Sequence, residues 1–331
     1  MPLARLQRRL SRGLRDRGKL ILRRVFELGQ RAGVDVLPRH FYSSVPDIRQ
    51  LRASQAWRQP RTMVGVAGLD IDSQTKFLRE LLSAPVQERL RKRDVYRWAC
   101  EQNGATGYGP TEAALLYAFV ATQRPGRVLQ VGAGVATAVI LAAADDVDLD
   151  VAVTCVDPYP TGLLHRLAAE GRIDLVEKRA QDVALETFTG LTVGDLLFVD
   201  STHTVKADSE VNRIILEVLP RLAPGVVVHF HDIWFPYDYP RDLLDETLFF
   251  WTESVLLHAY LADNPRVRVL MAASMLHYEA PDEMAALIPR YQPQRNAEGL
   301  RGSTSGHFPS SAYLEIIPPA DPGDQLASPS R

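Results

Sequence analysis

Between residues 127 and 230 the chain alternates short apolar runs, rich in Val, Leu and Ile, with longer amphipathic stretches. Runs this short and this continuously apolar predict strands buried on both faces. A parallel sheet buries strands in that way, because its crossover helices cover both sides. Strands are expected at 127–131, 151–156, 173–177, 195–199 and 226–230, with helices at 135–144, 162–170 and 205–219. A helical pattern follows at 243–261, and two more strands fall at 267–272 and 312–317. The linker between those last two is long and rich in Pro, Gly and Ser, which predicts a loop in place of a crossover helix and an antiparallel final pair.

The sequence before this region has a different character. Residues 1–33 read as an Arg-rich amphipathic helix, with Leu3, Leu6, Leu10, Leu14, Ile21, Val25 and Leu28 near helical spacing. Such a helix suits an anionic membrane surface or an acidic protein partner; the competing reading is a solvated tail or a contact in a homo-oligomer. From 34 to 72, Pro38, Phe41, Tyr42, Pro46, Trp57 and Pro60 predict an irregular cover, and 74–102 a helix with Phe77, Leu78, Leu81, Leu82 and Leu90 on one face. Residues 111–122 form a further apolar helix that Pro125-Gly126 ends. The division expected is 1–106 as a helical N-terminal cover, 107–318 as the main domain and 319–331 as a disordered tail.

A formal net charge of -2 in 331 residues makes no case for nucleic acid. Two cysteines, Cys100 and Cys155, form no disulfide framework and favour a reducing compartment. The start lacks a signal-peptide core, and no apolar run reaches the roughly 18 residues of a membrane span. A cytoplasmic protein is the expectation.

The first strand runs directly into Gly132 and Gly134, a tight strand-to-helix turn that brings a ligand close to backbone and to the helix N-terminus. The second strand ends in Val156-Asp157-Pro158, where a carboxylate can accept hydrogen bonds from two ribose hydroxyls. Together these predict a nucleotide-type cofactor. A nicotinamide dinucleotide prefers a third glycine where Ala136-Thr137 stand, so an NAD(P)-dependent oxidoreductase is the rival and not the first reading.

The segments VLQVGAGVATAVI, VTCVDPYP, GDLLFVDSTHTVK and PGVVVHFHDIWFPYDYP resemble the class I S-adenosylmethionine-dependent methyltransferases. Within them the chain is similar to a bacterial subgroup that includes small-molecule and sugar O-methyltransferases. The resemblance implies a Rossmann-like seven-stranded sheet, mostly parallel with an antiparallel last strand. It also implies S-adenosylmethionine as cofactor, with Gly132 and Gly134 at its methionine moiety, Asp157 at its ribose and Asp182 beside its adenine. The family has an acid at the end of the first strand, where this chain has Gln130; the amide still accepts a hydrogen bond but loses the charge pairing with the cofactor's ammonium group.

Two further segments end strands four and five: Asp200-Ser201-Thr202-His203 and His229-Phe230-His231-Asp232. Both should face the crevice beyond the carboxyl ends of the strands. Asp200 and Asp232 can share a hard divalent cation such as magnesium, which would anchor a substrate hydroxyl and lower its pKa. His231 stands where relatives often have another acid or amide, which opens the site to a softer metal or to none. Without a metal, His203 or His231 can act as general base, while Asp200 as a helix cap is the bland alternative. His229 reads as a packed strand residue. Strand alternation puts His229 and His231 on one side and Asp232 opposite, unless the chain has already turned. Trp234, Phe235, Tyr237 and Tyr239, and the stretches 274–278 and 307–310, are candidates for the side that receives a small-molecule acceptor. A non-catalytic scaffold that keeps this fold and binds partners through residues 1–33 is the reading from outside enzymology, and Gln130 is what sustains it.

Overall fold

The computed structural model describes residues 18–55, 59–240, 243–244, 247–293 and 309–319. Residues 1–17 of the basic stretch, Trp57, His307, Phe308 and the tail from 320 lie outside them. The chain divides into two compact units, Met1–Ala53 and Ser54–Arg331.

In the first unit residues 18–31 are helical (α1) and Ile48–Ala53 forms α2. Leu20, Ile21, Leu22, Val25 and Leu28 of α1 are all exposed, and α2 buries no residue.

The second unit is built on a seven-stranded sheet of order β3-β2-β1-β4-β5-β7-β6. Its strands are β1 (Arg127–Val131), β2 (Ala152–Val156), β3 (Asp174–Val176), β4 (Leu196–Val199), β5 (Val227–His231), β6 (Val267–Ala272) and β7 (Ser311–Ile316). The first five pair in parallel, whereas β7 is antiparallel to both β5 and β6. The expected α/β sheet, mostly parallel with an antiparallel last strand, is the one observed. An antiparallel β7 inserted between β5 and β6 also differs from the all-parallel order of dinucleotide dehydrogenases.

Helices at 71–103 pack into this unit instead of forming a separate cover. The pattern expected as one helix over 74–102 is three: α3 (Ile71–Leu81), α4 (Ala84–Lys92) and α5 (Val95–Asn103). Asp70 caps α3 by accepting from the Ser73 N–H at 2.9 Å, and Asp94 caps α5 by accepting from Arg97 at 3.0 Å. Each new cap restarts the helix, so the apolar stripe continues while the axis turns. The next helix, α6 (Pro110–Gln123), buries every residue from Thr111 to Ala121. A helix apolar all round belongs inside a core, and α6 shares one with α7 (Val135–Asp146) and with Val128, Val153, Cys155 and Phe198 of the sheet. The other face of the sheet packs Leu129, Val131, Leu197, Val199, Val228 and Phe230 against Ile214, Ile215 and Val218.

Three helical expectations need correction. The pattern at 205–219 becomes a four-residue α-helix, Glu210–Arg213, that widens into a π-turn at Ile214–Val218, because Ser209 supplies the cap and 205–208 form the turn before it. At 243–261 the regular helix is only Glu253–Leu261; Leu248 is left-handed at φ +60°, and the described residues 247–252 before the helix are irregular. The linker between β6 and β7 is not simply a loop: it carries the helices Ala273–Glu279 and Pro281–Leu287. Antiparallel pairing of β7 survives that change because the linker still brings the chain back beside β5.

Among the described residues no helix is long and apolar enough to cross a membrane.

Candidate functional site

β1 ends at Val131, and Gly132 turns the chain with φ +78°. A Cβ there would lie 1.7 Å from the carbonyl oxygen of Asp200, so only glycine lets the β1 turn nest against the end of β4. Gly134, at φ +147°, opens α7, and its N–H donates to Thr137 Oγ1 at 3.1 Å. Asp157 at the end of β2 ties this turn to its neighbour. Its Oδ2 accepts from the Ala133 N–H at 3.2 Å and its Oδ1 from the Tyr159 N–H at 2.8 Å.

Two clefts open at these strand ends. One, of about 580 Å³, is lined by Gly132, Asp157, Tyr159, Gln181, Asp200 and Lys206 among others, a size suited to a nucleoside-bearing ligand. The second, of about 160 Å³, lies against Asn103, Tyr108, Gly132, Gly134 and Asp200. Gly132 and Asp200 belong to both, so the glycine turn and the end of β4 form their common wall.

Two of the expected cofactor residues lie away from these clefts. Gln130 is fully buried in β1 and its Oε1 accepts from the Cys155 thiol at 3.5 Å, while its Nε2 has no hydrogen-bond partner. Asp182 turns to Arg179 at 2.7 Å, and it is Arg179, Ala180 and Gln181 of that segment that line the larger cleft.

Asp200, His203, His231 and Asp232 converge just beyond the common wall. His203 Nε2 lies 3.4 Å from Asp200 Oδ1 and 3.5 Å from Asp232 Oδ2. His231 Nδ1 lies 3.3 Å and 3.4 Å from the same two oxygens. Strand alternation would have sent Asp232 to the opposite side of β5 from His231. Asp232 instead adopts φ +53°, which ends the strand and swings its carboxylate back to the His231 side. The Ser310 hydroxyl donates to Asp232 Oδ1 at 2.8 Å and holds it there. Asp200 caps no helix; the helix after β4 is capped by Ser209.

Behind each imidazole stands a carboxylate that the sequence did not single out. His203 Nδ1 is 2.8 Å from Glu253 Oε2, and His231 Nε2 is 3.2 Å from Glu112 Oε2. Glu253 opens the helix Glu253–Leu261, and Glu112 lies in the first turn of α6; they are 0% and 2% exposed. The Ser310 N–H donates to Glu112 Oε1 at 3.1 Å. Aromatic rings close the sides: Trp251 is 4.5 Å from the His203 ring and Tyr108 is 4.8 Å from His231.

The charges of this cluster support one another. Burial works to raise the Asp200 carboxyl, but the two imidazoles beside it hold it well below the usual range. Burial works to lower His203, yet Asp200 and Glu253 push it up to about 10. His231 is also raised, by Asp232, Glu112 and Asp200, against the same penalty. Glu253 moves up, because burial outweighs its contact with His203. His229 behaves differently. It stacks on Phe198 at 4.7 Å and hydrogen-bonds Tyr108 at 3.2 Å, and burial drives its pKa well down, as suits a packed residue.

Of the aromatics expected to receive an acceptor, Phe235 and Tyr239 are buried, with the Tyr239 hydroxyl accepting from the Ser254 N–H at 3.2 Å. Ser274 and His277 lie on the buried helix Ala273–Glu279. Packing accounts for all four.

Residues 129–233 match the family model described as a methyltransferase domain. That segment holds the glycine turn, Asp157, Asp200, His203, His231 and Asp232, on the parallel strands of the sheet. The match covers about a third of the chain and makes this segment similar to a methyltransferase domain. An uncharacterized protein of Archaeoglobus fulgidus is 26% identical over 183 residues, which are 52% of this chain and 80% of that one. Among solved structures, the SAH-bound methyltransferase PaMTH1 of Podospora anserina is 14% identical, with 71% of this chain and 92% of that one covered and a TM-score of 0.35. A Geobacter sulfurreducens methyltransferase is 19% identical, with 46% and 72% covered and a TM-score of 0.30.

Proposed function

We propose that this methyltransferase transfers the methyl group of S-adenosylmethionine to a hydroxyl of a small molecule or sugar. The observation that carries the reading is the shared wall. The glycine turn that would hold the methionine end of the donor is packed against Asp200, and Asp200 belongs to the acid–imidazole cluster. A donor lying along Asp157 and the two glycines presents its sulfonium methyl toward that cluster. Asp157 would meet the ribose hydroxyls, and the exposed ring of Tyr159 and Gln181 border the remainder of the larger cleft.

In the transfer the acceptor oxygen forms a bond to the methyl carbon while the carbon–sulfur bond breaks, and neutral S-adenosylhomocysteine departs. The hydroxyl proton leaves through the carboxylates of the cluster, Asp200 and Asp232, to solvent. Alignment of donor and acceptor supplies most of the acceleration, since effective molarities for well-oriented groups reach about 10⁵–10⁸ M. Asp200 and Asp232 would hold a divalent cation, which when bound lowers the pKa of the acceptor hydroxyl. A buried group of acids and imidazoles suits removal of a proton from oxygen better than reaction at carbon or sulfur.

The test is calorimetric titration with S-adenosylmethionine, alongside Asp157→Ala and a nicotinamide dinucleotide control. Saturable binding that is lost in the variant, with no nicotinamide binding, is expected. Folded protein that binds the dinucleotide and not S-adenosylmethionine would overturn the reading.

A further inference from the structure

The spacing of the four side chains at the end of β4 and β5 is unlike a set of hydrogen bonds. An imidazolium donating to a carboxylate closes to about 2.7–2.9 Å. Here four nitrogen–oxygen distances all fall between 3.3 and 3.5 Å. Neighbouring donors around one ion, with bonds of about 2.0–2.2 Å and angles from octahedral to tetrahedral, lie about 2.8–3.6 Å apart. The ligand atoms of Asp200, His203 and His231 all lie within 4.8 Å of one another, and Asp232 joins them through both imidazoles.

A second observation is independent of the spacing. His231 Nδ1 is buried and has no hydrogen-bond partner, although two carboxylate oxygens stand within 3.4 Å. A buried polar atom left unmade costs about 1–3 kcal/mol, so such an orphan asks for a partner. The neighbouring oxygens do not meet it; an ion between them would.

The third observation concerns the outer nitrogens. His203 Nδ1 and His231 Nε2 each face a buried carboxylate, Glu253 at 2.8 Å and Glu112 at 3.2 Å. A carboxylate accepting one ring N–H fixes the tautomer and turns the lone pair of the other nitrogen inward, the arrangement found behind metal-bound histidines. Both imidazoles then present lone pairs to the space between Asp200 and Asp232.

We infer that Asp200, His203, His231 and Asp232 form a nitrogen–oxygen centre for a first-row transition-metal dication such as zinc, cobalt, manganese or iron, and not for magnesium. Magnesium takes oxygen donors and keeps several waters, whereas paired imidazoles select the borderline metals. His203 and His231 are then ligands and not free bases, and Glu112 and Glu253 are positioning residues. The catalytic use of the metal rests on the methyl-transfer reading above; the binding itself rests on this geometry.

The test uses full-length protein stripped with a chelator and titrated with Co²⁺, Zn²⁺ and Mg²⁺, followed by calorimetry and by the visible absorption of bound cobalt. One ion per chain is expected, with cobalt and zinc bound at least ~100-fold more tightly than magnesium. His203→Gln and His231→Gln should each abolish the cobalt spectrum, and Glu253→Gln should weaken cobalt about 10–100-fold. Comparing metals on the unaltered chain needs no variant, so it decides even where a variant folds poorly. Magnesium bound as tightly as zinc, or a cobalt spectrum indifferent to both histidine changes, would overturn the inference. Titrating S-adenosylmethionine on the same samples separates the two readings: donor binding without transition-metal binding sinks only this one, and metal binding without donor binding sinks only the transferase.

Discussion

Gly132→Ala tests whether the first turn and Asp200 are one mechanical unit. The new Cβ would sit 1.7 Å from the Asp200 carbonyl oxygen, and contacts under 3.0 Å are essentially never tolerated, so one of the two backbones must recede by about 1.3 Å. The φ of +78° adds the cost of a left-handed residue, about 1–2 kcal/mol. Displacing packed backbone adds about 1–3 kcal/mol, for a total near 2–5 kcal/mol. That is a large share of a typical stability of about 5–15 kcal/mol. The same shift strains the bond from the Asp200 N–H to the Val131 carbonyl, 2.8 Å long, and moves the Asp200 carboxylate away from both imidazoles. A displacement of about 1 Å at a reacting group costs on the order of 100-fold in rate. Urea denaturation measures the first effect, and calorimetry with S-adenosylmethionine measures the damage to the shared wall. Gly162→Ala is the control, because its Cβ would meet nothing within 4 Å. A Gly132→Ala protein with the parent's midpoint and the parent's donor affinity would refute the argument.

Gln130→Met removes a buried amide whose Nε2 has no partner, at nearly constant volume, and should change stability by less than about 1.5 kcal/mol; a large loss on denaturation would show that the amide is satisfied. Cys155 is buried and its thiol is pushed up to about 12 by that burial, so iodoacetamide near pH 8 should label the half-buried Cys100 first and Cys155 only on unfolding, as mass spectrometry of the peptides would show. The folded His203 has a raised pKa, near 10, so its contribution to stability is complete below about pH 6.5 and lost as pH rises toward 10; the melting temperature of chelated protein should fall across that window, and a flat profile would contradict the cluster. Glu112→Ala leaves the Ser310 N–H and His231 Nε2 without their carboxylate, and should cost about 3–5 kcal/mol by denaturant titration.

Much of the sheet was legible because its strands are short apolar runs between turn residues, and each run can be little else. The glycine turn and Asp157 were legible for a related reason: their chemistry is local, fixed by residues adjacent in the chain. Helix ends were harder to read. Asp94 restarts the helix through capping, and periodicity does not register a cap that leaves the stripe in phase. For Asp232, alternation leaves two sides open, depending on whether the chain has already turned; its left-handed φ is that turn and places it beside His231. Glu112 and Glu253 escaped notice because acids in first helical turns are ordinary, favoured by the helix dipole alone. Their partners lie 119 and 50 residues away, and no local pattern announces such a pairing. Gln130 and Asp182 differ again: family position implies contact with the cofactor, while the side chains face Cys155 and Arg179.

The hydrogen bond from Ser310 to Glu112 spans 198 residues and joins the approach to β7 to the first turn of α6. The acid–imidazole cluster therefore depends on a contact between segments far apart in the chain. A ribosome-bound fragment ending before Ser310 has the residues of β1 to β6 and both glycines, yet lacks the group that steadies Glu112 and Asp232. Contacts of such long sequence separation form late, so the completed cluster follows docking of the final strand. The geometry of the cluster is thereby tied to the docking of β7.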